Sequence, residues 1–323
     1  MRWTPALLVL LALLAGAPAA PVAAQPAGGH YNQDRVGELL YAHRDSLDDV
    51  PEVTWRAHVL AHPYDNSILA RGDLFREVGD GDYYRGKERL AIVQFLNRVW
   101  MDDLRIGDTI ALPSHFDVDP RAYAPFPRRY AGAEGFDKLF VIHKSVQAWA
   151  AYENGRLERW GLVNTGAAGS PTPTGRFNFN WQEVDRISTL SPPGERWRMR
   201  YVFNFHDERG IHVHQYRLPN GAPGSHGCVR LIMDDAKWIY GWAEPWRTSN
   251  GSGARGLPSR GRILRQGTTV LVLGEDPVGG PPARFEWADG QPSLIVVDLP
   301  EDPYSVRPGT PQQVEFDRKR RQS

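Results

Sequence analysis

The segment from Ile211 to Arg230 limits the possible folds most, because one loop must connect two stretches that carry reactive side chains. Upstream lies Ile211-His212-Val213-His214, and downstream lies Ser225-His226-Gly227-Cys228-Val229-Arg230, which holds the only cysteine of the 323 residues. Between them, the prolines and glycines at 219–224 favour turns and exclude a helix. The segment therefore predicts a strand, a loop and a return that bring the His212 imidazole beside the Cys228 thiol.

These residue types are the parts of an acyl-transfer site. A thiolate is a strong nucleophile, a nearby imidazole can generate it, and a glycine before it lets a carbonyl approach backbone N–H donors. A lone cysteine is also commonly a small buried hydrophobic residue, and a histidine beside it a satisfied core residue. The spacing of His212 and Cys228, sixteen residues apart, favours the catalytic interpretation.

The pattern Ile-His, followed after sixteen residues by the cysteine of Ser-His-Gly-Cys-Val-Arg-Leu, closely resembles the catalytic signature of the L,D-transpeptidase (YkuD-type) family of bacterial cell-wall enzymes. The segment Thr172-Pro173-Thr174-Gly175 resembles a second signature of that family, and Gly267–Leu273 resembles its final strand. The resemblance covers residues 136–276. It implies a mainly β catalytic domain, a small YkuD-like β-sandwich with a few helices, preceded by a small α+β N-terminal region.

The resemblance also implies a role for each residue of the site. Cys228 matches the nucleophile, and His212 matches the general base that takes its proton. The roles implied for the other positions are a Val213 carbonyl that orients His212, Gly227 and Cys228 N–H groups that stabilise the oxyanion, and substrate binding by Arg230, Ser225, His226 and His214. The family usually has Gly or Ser where this chain has Val213, which is a departure from the pattern.

The activity implied by the family starts with attack of Cys228 on the carbonyl between the third residue and D-Ala of a peptidoglycan stem tetrapeptide. D-Ala leaves, a thioester forms, and an amine of a neighbouring stem resolves it to a 3→3 cross-link. Two alternatives stay open, namely an L,D-carboxypeptidase that uses water and a non-catalytic wall-binding protein. The transpeptidase interpretation predicts that a carbapenem acylates Cys228, and it requires no cofactor.

A zinc site is the alternative interpretation of the histidines. On a strand, His212 and His214 share a face, and together with His226, or with His206 and Asp207, they could bind zinc. That interpretation leaves the cysteine motif unexplained. We therefore expect no metal, and we expect His214 to lie in the substrate pocket or to pack beside it.

Composition and the first residues indicate where the protein acts. The 38 basic and 38 acidic side chains cancel, which disfavours a nucleic-acid or membrane-surface partner. Residues 1–24 have a basic start, a short apolar run and small residues before Gln25, as in a secretory signal peptide. We expect a mature protein without a membrane span in the periplasm or cell envelope, where Cys228 has no disulfide partner. The sequence leaves the oligomeric state open.

The predicted domain organisation has four parts. They are the signal peptide (1–24), an accessory region with a linker at 117–135 (25–135), the catalytic domain (136–276), and a hairpin with a disordered tail (277–323). Within the accessory region, 105–113 resembles the closing half of a LysM glycan-binding module, but the opening half of the stretch 72–113 departs from that pattern, and 83–87 are interpreted as an insertion. We therefore favour an accessory helix and strand packed on the main domain over a degenerate LysM-like module. Within the catalytic domain, Asn154-Gly155 predicts a tight hairpin turn between two strands. Asp234 or Asp235 is expected to cap the helix that follows the cysteine.

Overall fold

The structure is a computed structural model that describes residues 33–218, 222–252, 261–278, 280 and 283–322, so the predicted signal peptide at 1–24 lies outside the described residues. The helices of this part are α1 Gln33–Leu40, α2 Ser67–Val78, α3 Tyr83–Asn97, α4 Met233–Trp242 and α5 Pro311–Arg320. The strands are β1 Trp55–Val59, β2 Thr109–Pro113, β3 Leu139–His143, β4 Ala148–Glu153, β5 Arg156–Leu162, β6 Gly175–Asn178, β7 Gln182–Ile187, β8 Arg198–His206, β9 Ile211–Gln215, β10 Val229–Leu231, β11 Arg247–Thr248, β12 Gly251–Ser252, β13 Ile263–Arg265, β14 Thr269–Leu273, β15 Phe285–Ala288 and β16 Gln291–Leu294. Within the described ranges, no helix has the length and apolar character needed to cross a membrane.

Two sheets form the sandwich that holds both sequence motifs. The larger has the strand order β5-β4-β3-β14-β6, and the smaller has the order β10-β9-β8-β7. The pairs β3/β14 and β9/β10 are parallel, and the other pairs in these sheets are antiparallel. Aromatic and β-branched side chains from both sheets fill one hydrophobic core. The predicted mainly β sandwich with a few helices is confirmed.

Strand β3 shows why the larger sheet is buried on both faces. Successive side chains of a strand point to opposite faces; Phe140 and Ile142 enter the core between the sheets, and Leu139 and Val141 enter a second core on the other face. A strand covered on both faces is continuously apolar.

The hairpin between β4 and β5 turns at Asn154 and Gly155, whose φ angles of 47° and 74° suit this pair of residues.

The accessory region contains a unit of order β1, α2, α3, β2, in which the two strands pair antiparallel over a core of its own. The unit starts at Trp55, upstream of the stretch 72–113 in which the sequence indicates a LysM-like module. The residues 83–87, which are expected to be an insertion, form the first turn of α3. The Asp82 side chain caps that turn by accepting from the backbone N–H groups of Tyr84 and Arg85.

The stretch 117–135 differs from the linker that its prolines and charges predict. Tyr123, Phe126 and Tyr130 are buried in the same core cluster as Leu139 of the larger sheet. The Trp160 indole of β5 donates to the carbonyl of Pro120 at 2.6 Å. Aromatic burial therefore fixes this stretch on the larger sheet, and the accessory region shares a core with that sheet.

The C-terminal residues also differ from expectation. β15 and β16 pair as an antiparallel hairpin where the sequence indicates one, but helix α5 forms where a disordered tail is predicted. The Thr310 side chain accepts from the Gln313 N–H at the start of α5, and Asp317 forms an ion pair with buried Arg176 at 2.5 Å. This ion pair joins positions far apart in the sequence, so the composition of the tail could not reveal it.

Candidate active site

Two neighbouring strands place Cys228 and His212. β9 and β10 are parallel, with Val213 beside Val229 and His214 beside Arg230. Residues two apart on a strand share a face, so His212 and His214 of β9 point to the same side of the sheet. Arg230 of β10 pairs with His214 and points to that side too. Cys228 directly precedes β10. The Cys228 Sγ lies 3.5 Å from the His212 Nδ1, within the distance for a sulfur hydrogen bond. The pair expected from the sequence thus lies together.

Burial keeps both members of this pair neutral. Burial, and then the nearby His214 and Arg186, lowers the pKa of His212 well below its usual value. Burial also raises the pKa of the Cys228 thiol, although His212, Arg230 and Arg186 oppose the shift. Charged forms are disfavoured in a poorly solvated site. Both shifts favour a thiol that donates to a neutral imidazole, with the imidazole proton on Nε2.

The environment of the His212 Nε2 atom differs from the expectation. This atom is buried and has no hydrogen-bond partner within the described part of the chain. Val213, whose carbonyl was expected to orient the imidazole, pairs with Phe203 on one side and Val229 on the other. Its backbone groups therefore point along the sheet towards those strands, while the His212 side chain leaves the plane of the sheet.

An aromatic contact holds the imidazole instead. The Trp181 ring meets the His212 ring edge-on, with centroids 5.0 Å apart and an interplanar angle of 67°. The Trp181 Nε1–H donates to Asp207 at 2.8 Å, which fixes the indole. The sequence alone does not identify Trp181, because its contact with His212 joins residues 31 positions apart. Trp181 lies six residues after Gly175 of the second signature and directly before β7.

Short hydrogen bonds fix the loop before Cys228. The Ser225 hydroxyl donates to the Cys228 carbonyl and accepts from the Gly227 N–H at 3.1 Å. The Thr172 hydroxyl donates to the Gly227 carbonyl at 2.8 Å and accepts from the Gly166 N–H at 2.9 Å. Ser225 thus acts on the loop, and Thr172 links the second signature to it. The Gly227 N–H, expected to face an oxyanion, is already engaged by Ser225.

A pocket that is open to solvent lies beside the thiol. It is lined by residues of the β7–β8 hairpin and of the β9–β10 face, namely Ser188, Leu190, Trp197, Met199, His214, Tyr216, Ser225, His226, Cys228 and Arg230. His226 is exposed and stacks on Trp197, with ring centroids 5.5 Å apart. It therefore lies at the mouth of the pocket, whereas the imidazole that contacts the thiol belongs to His212.

Arg230 and His214 provide the polar groups of this pocket. The Arg230 guanidinium stacks over the Tyr216 ring at 4.8 Å, and no acidic side chain of the described residues lies within 4.0 Å of it. The His214 Nδ1 lies 2.9 Å from the Gln215 carbonyl, which can only accept, so Nδ1 carries the proton and Nε2 is an acceptor. Burial lowers the pKa of His214 to about 4.

The residues considered for zinc are dispersed. His206 packs against Phe177, with ring centroids 5.8 Å apart, and Asp207 accepts from Trp181. Across the ranges that the structure describes, no group of three or more His, Cys, Asp or Glu side chains is placed to hold a metal ion.

Comparison with known proteins identifies the domain. The family model of the YkuD L,D-transpeptidase catalytic domain matches residues 137–272. No curated protein matches the chain.

Three similar solved structures are L,D-transpeptidases. They are LdtMt1 in complex with imipenem (20% identity over 42% of this chain and 58% of that chain, TM-score 0.32), an enzyme from Mycobacterium smegmatis (19% identity over 43% and 59%, TM-score 0.33) and an enzyme from Stackebrandtia nassauensis (19% identity over 80% and 99%, TM-score 0.34). The chain spans less than two thirds of the length of the first two.

The family model covers both signatures, the two sheets of the sandwich and the Cys228/His212 pair. Residues 137–272 of this chain are therefore a catalytic domain of the YkuD-type L,D-transpeptidase family.

Proposed function

We propose that this protein is an L,D-transpeptidase that forms 3→3 cross-links between peptidoglycan stems through a thioester on Cys228. The Sγ attacks the carbonyl of the third residue of a donor tetrapeptide while its proton moves to the His212 Nδ1. Collapse of the tetrahedral intermediate breaks the bond to D-Ala, which leaves with that proton. The amine of a second stem then attacks the thioester, restores the thiol and forms the new amide bond.

The contact between the Cys228 Sγ and the His212 Nδ1 is the observation that carries this proposal. A buried neutral imidazole is ready to accept a proton, and a thiol that is not ionised in the ground state loses its proton as it attacks. Because the Gly227 N–H is bound to Ser225, we assign the oxyanion to the Cys228 N–H, with the Gly227 N–H able to join if Ser225 shifts.

The pocket supports a peptide substrate with a charged end. We propose that the Arg230 guanidinium binds a substrate carboxylate, because it lies in the pocket without an acidic partner among the described residues. His214 offers an acceptor to a substrate N–H, and the exposed His226 and its Trp197 partner form the rim. Carbapenem adducts of the same thiol are part of the proposal, since LdtMt1 is known in complex with imipenem.

Location and accessory regions complete the proposal. We propose that residues 1–24 direct secretion and that the protein acts in the periplasm or cell envelope, where peptidoglycan lies. The unit from β1 to β2 is proposed as a LysM-like module, because its order of strand, two helices and strand accompanies the segment 105–113 that resembles the closing half of such modules.

Incubation of the purified protein with tetrapeptide muropeptides, followed by mass analysis of the products, tests the proposed reaction. We expect cross-linked dimers and free D-Ala, and we expect Cys228→Ala and His212→Ala to abolish both. His43→Ala, which removes an exposed histidine outside the site, is the matched control and should keep wild-type turnover.

The same assay separates the alternatives. Free tripeptide and D-Ala without dimers would show the carboxypeptidase activity. Unchanged muropeptides, with protein that still sediments with sacculi, would show a non-catalytic wall-binding protein.

A further inference from the structure

The C-terminal residues 303–320, here called the C-terminal clasp, lie beyond the match to the family model and run along strand β6. The Arg176 N–H donates to the Arg307 carbonyl, and the Gly309 N–H donates back to the Arg176 carbonyl, both at 2.8 Å. A Cβ at Gly309 would lie 2.1 Å from the Phe177 ring, so this close approach requires glycine. The clasp therefore adds a backbone partner to the edge of the larger sheet.

Side chains lock helix α5 of the clasp in place. Arg176 is fully buried and pairs with Asp317 of α5 at 2.5 Å. The Tyr304 ring lies between two guanidinium groups, 5.0 Å from that of Arg176 and 3.6 Å from that of Arg320. A buried arginine with one carboxylate partner fixes the position of that carboxylate, because separation would leave a charge without compensation.

A chain of side-chain amides connects α5 to the catalytic strand. The Gln312 Nε2 donates to the Asn180 Oδ1 at 3.2 Å, the Asn180 Nδ2 donates to the Asn204 Oδ1 at 2.7 Å, and the Asn204 Nδ2 donates to the Ile211 carbonyl at 3.1 Å. Asn180 and Asn204 are both buried, at 2% and 0% exposure. Each amide donates to the next, so the chain has one direction and reaches the residue before His212. The Gln312 Nε2 also donates to the Gln266 Oε1 at 3.0 Å, and the Asn204 Nδ2 also donates to the His206 carbonyl at 3.3 Å.

The same chain ends beside two features that position the imidazole. The His212 Nε2 has no hydrogen-bond partner in the described residues, so, apart from the contact of its Nδ1 with the Cys228 Sγ, the ring is positioned by its own backbone and by the Trp181 ring. Ile211 is the backbone neighbour of His212, and Asn180 is the neighbour of Trp181. The amide chain therefore holds the strand on one side of the imidazole and the indole on the other.

We propose that Gln312, Asn180 and Asn204 are positioning residues through which the C-terminal clasp sets the His212 imidazole against Cys228. The inference rests on the proposed function in that it requires His212 to act on the Cys228 thiol. Gln312 acts at a distance, without contact with the substrate, and the clasp is thus a part of the active-site scaffold outside the residues that the family model matches.

The test uses the full chain with Gln312→Ala and Gln312→Glu, both at a half-buried position on the helix, and Val314→Ala as the exposed control on the same helix. The Glu variant keeps the shape but replaces the donor by an acceptor that faces the Asn180 oxygen. The rate of imipenem acylation of Cys228 is followed by intact mass across imipenem concentrations, and circular dichroism confirms that each variant is folded at the assay temperature.

We expect both Gln312 variants to lower the maximal acylation rate about tenfold, since misplacement of a reacting group reduces the rate steeply. The half-saturating concentration should stay unchanged, and Val314→Ala should match the wild type. Equal maximal rates in folded Gln312 variants, or a change confined to the half-saturating concentration, would overturn the inference.

If the proposed function is wrong, the wild type itself forms no imipenem adduct. In that case, the rate at which iodoacetamide alkylates Cys228, the only cysteine, decides the inference. The Gln312 variants are then expected to react more slowly than the wild type and Val314→Ala, and equal alkylation rates would contradict it.

Discussion

Cys228 and His212 show how burial defines the chemistry of single residues. The imidazole has its pKa lowered and the thiol has its pKa raised, so the neutral pair exists over a broad pH range. A preformed thiolate–imidazolium pair would require the opposite shifts. The proposed reaction therefore starts from a neutral pair, and the thiol passes its proton to the imidazole as it attacks the carbonyl.

The acid limit of acylation follows from this arrangement. Because burial disfavours the imidazolium, His212 remains a base at pH values at which an exposed histidine, with a pKa of about 6.5, is half protonated. We expect the rate of imipenem acylation to hold from neutral pH to below pH 6.5 and to fall only under more acidic conditions. A rate profile from pH 4.5 to 8 measures it, and a loss centred above pH 6.5 would contradict the neutral pair.

The backbone conformation of Gly227 requires a glycine at this position. Its φ of +106° lies in a region that other residues rarely adopt, whereas Gly224 has no such constraint and a Cβ there would find its nearest atom at 3.5 Å. Gly227→Ala should lower the free energy of unfolding by about 1–3 kcal/mol and slow acylation of Cys228, and Gly224→Ala should change both little. Urea unfolding and the imipenem assay compare the two variants. Similar results for both would contradict a role for the backbone conformation of Gly227.

Helix α4 shows how an element is fixed behind the reactive loop. The sequence predicts Asp234 or Asp235 as its cap, but the helix starts after Ile232 without a side-chain cap. Asp235 is instead fully buried and accepts from the Tyr41 hydroxyl and the Arg159 guanidinium at 2.8 Å each, and from the Trp149 indole at 3.2 Å. This carboxylate joins the accessory region, the larger sheet and the helix that follows β10.

Replacement of Asp235 tests whether its buried contacts anchor helix α4. Asp235→Asn leaves the Arg159 charge without its buried partner, and we expect a loss of about 3–5 kcal/mol in the free energy of unfolding. Asp234→Asn, one residue away and half-buried, should cost less than about 1 kcal/mol. Urea unfolding measures both, and equal effects would show that the cluster around Asp235 does not anchor the helix.

On the scale of the whole molecule, the accessory region, the sandwich and the C-terminal clasp form a connected structure. Local signals revealed the parts with short-range causes, such as the hairpin at Asn154-Gly155 and the His212–Cys228 spacing. The contacts between Tyr41 and Asp235, or between Arg176 and Asp317, join residues more than 100 positions apart. Such pairs carry no local pattern, so the packed stretch 117–135 and helix α5 could not be predicted from the sequence.

The response of the fold to acid follows from its buried histidines. Burial lowers the pKa of His214, 4% exposed, to about 4, against about 6.5 in the unfolded chain. Between these two pH values, the unfolded state binds one more proton at this residue than the folded state. The contribution of His214 to the free energy of unfolding is therefore fully present above pH 6.5 and falls by up to about 1.4 kcal/mol per pH unit towards pH 4. His214→Gln should flatten this slope by about one proton, and exposed His43→Ala should not. Equal slopes in the three proteins would contradict the buried neutral state.

Detection of an acyl group on Cys228 is the most direct test of the proposed thioester reaction. The wild type, Cys228→Ala and His212→Ala are each mixed with a tetrapeptide stem, quenched in acid and analysed by intact mass and peptide mapping. The proposal predicts a tripeptide acyl group on the peptide that contains Cys228, with D-Ala released, in the wild type only. A folded wild-type protein that carries no acyl group and releases no D-Ala would contradict it.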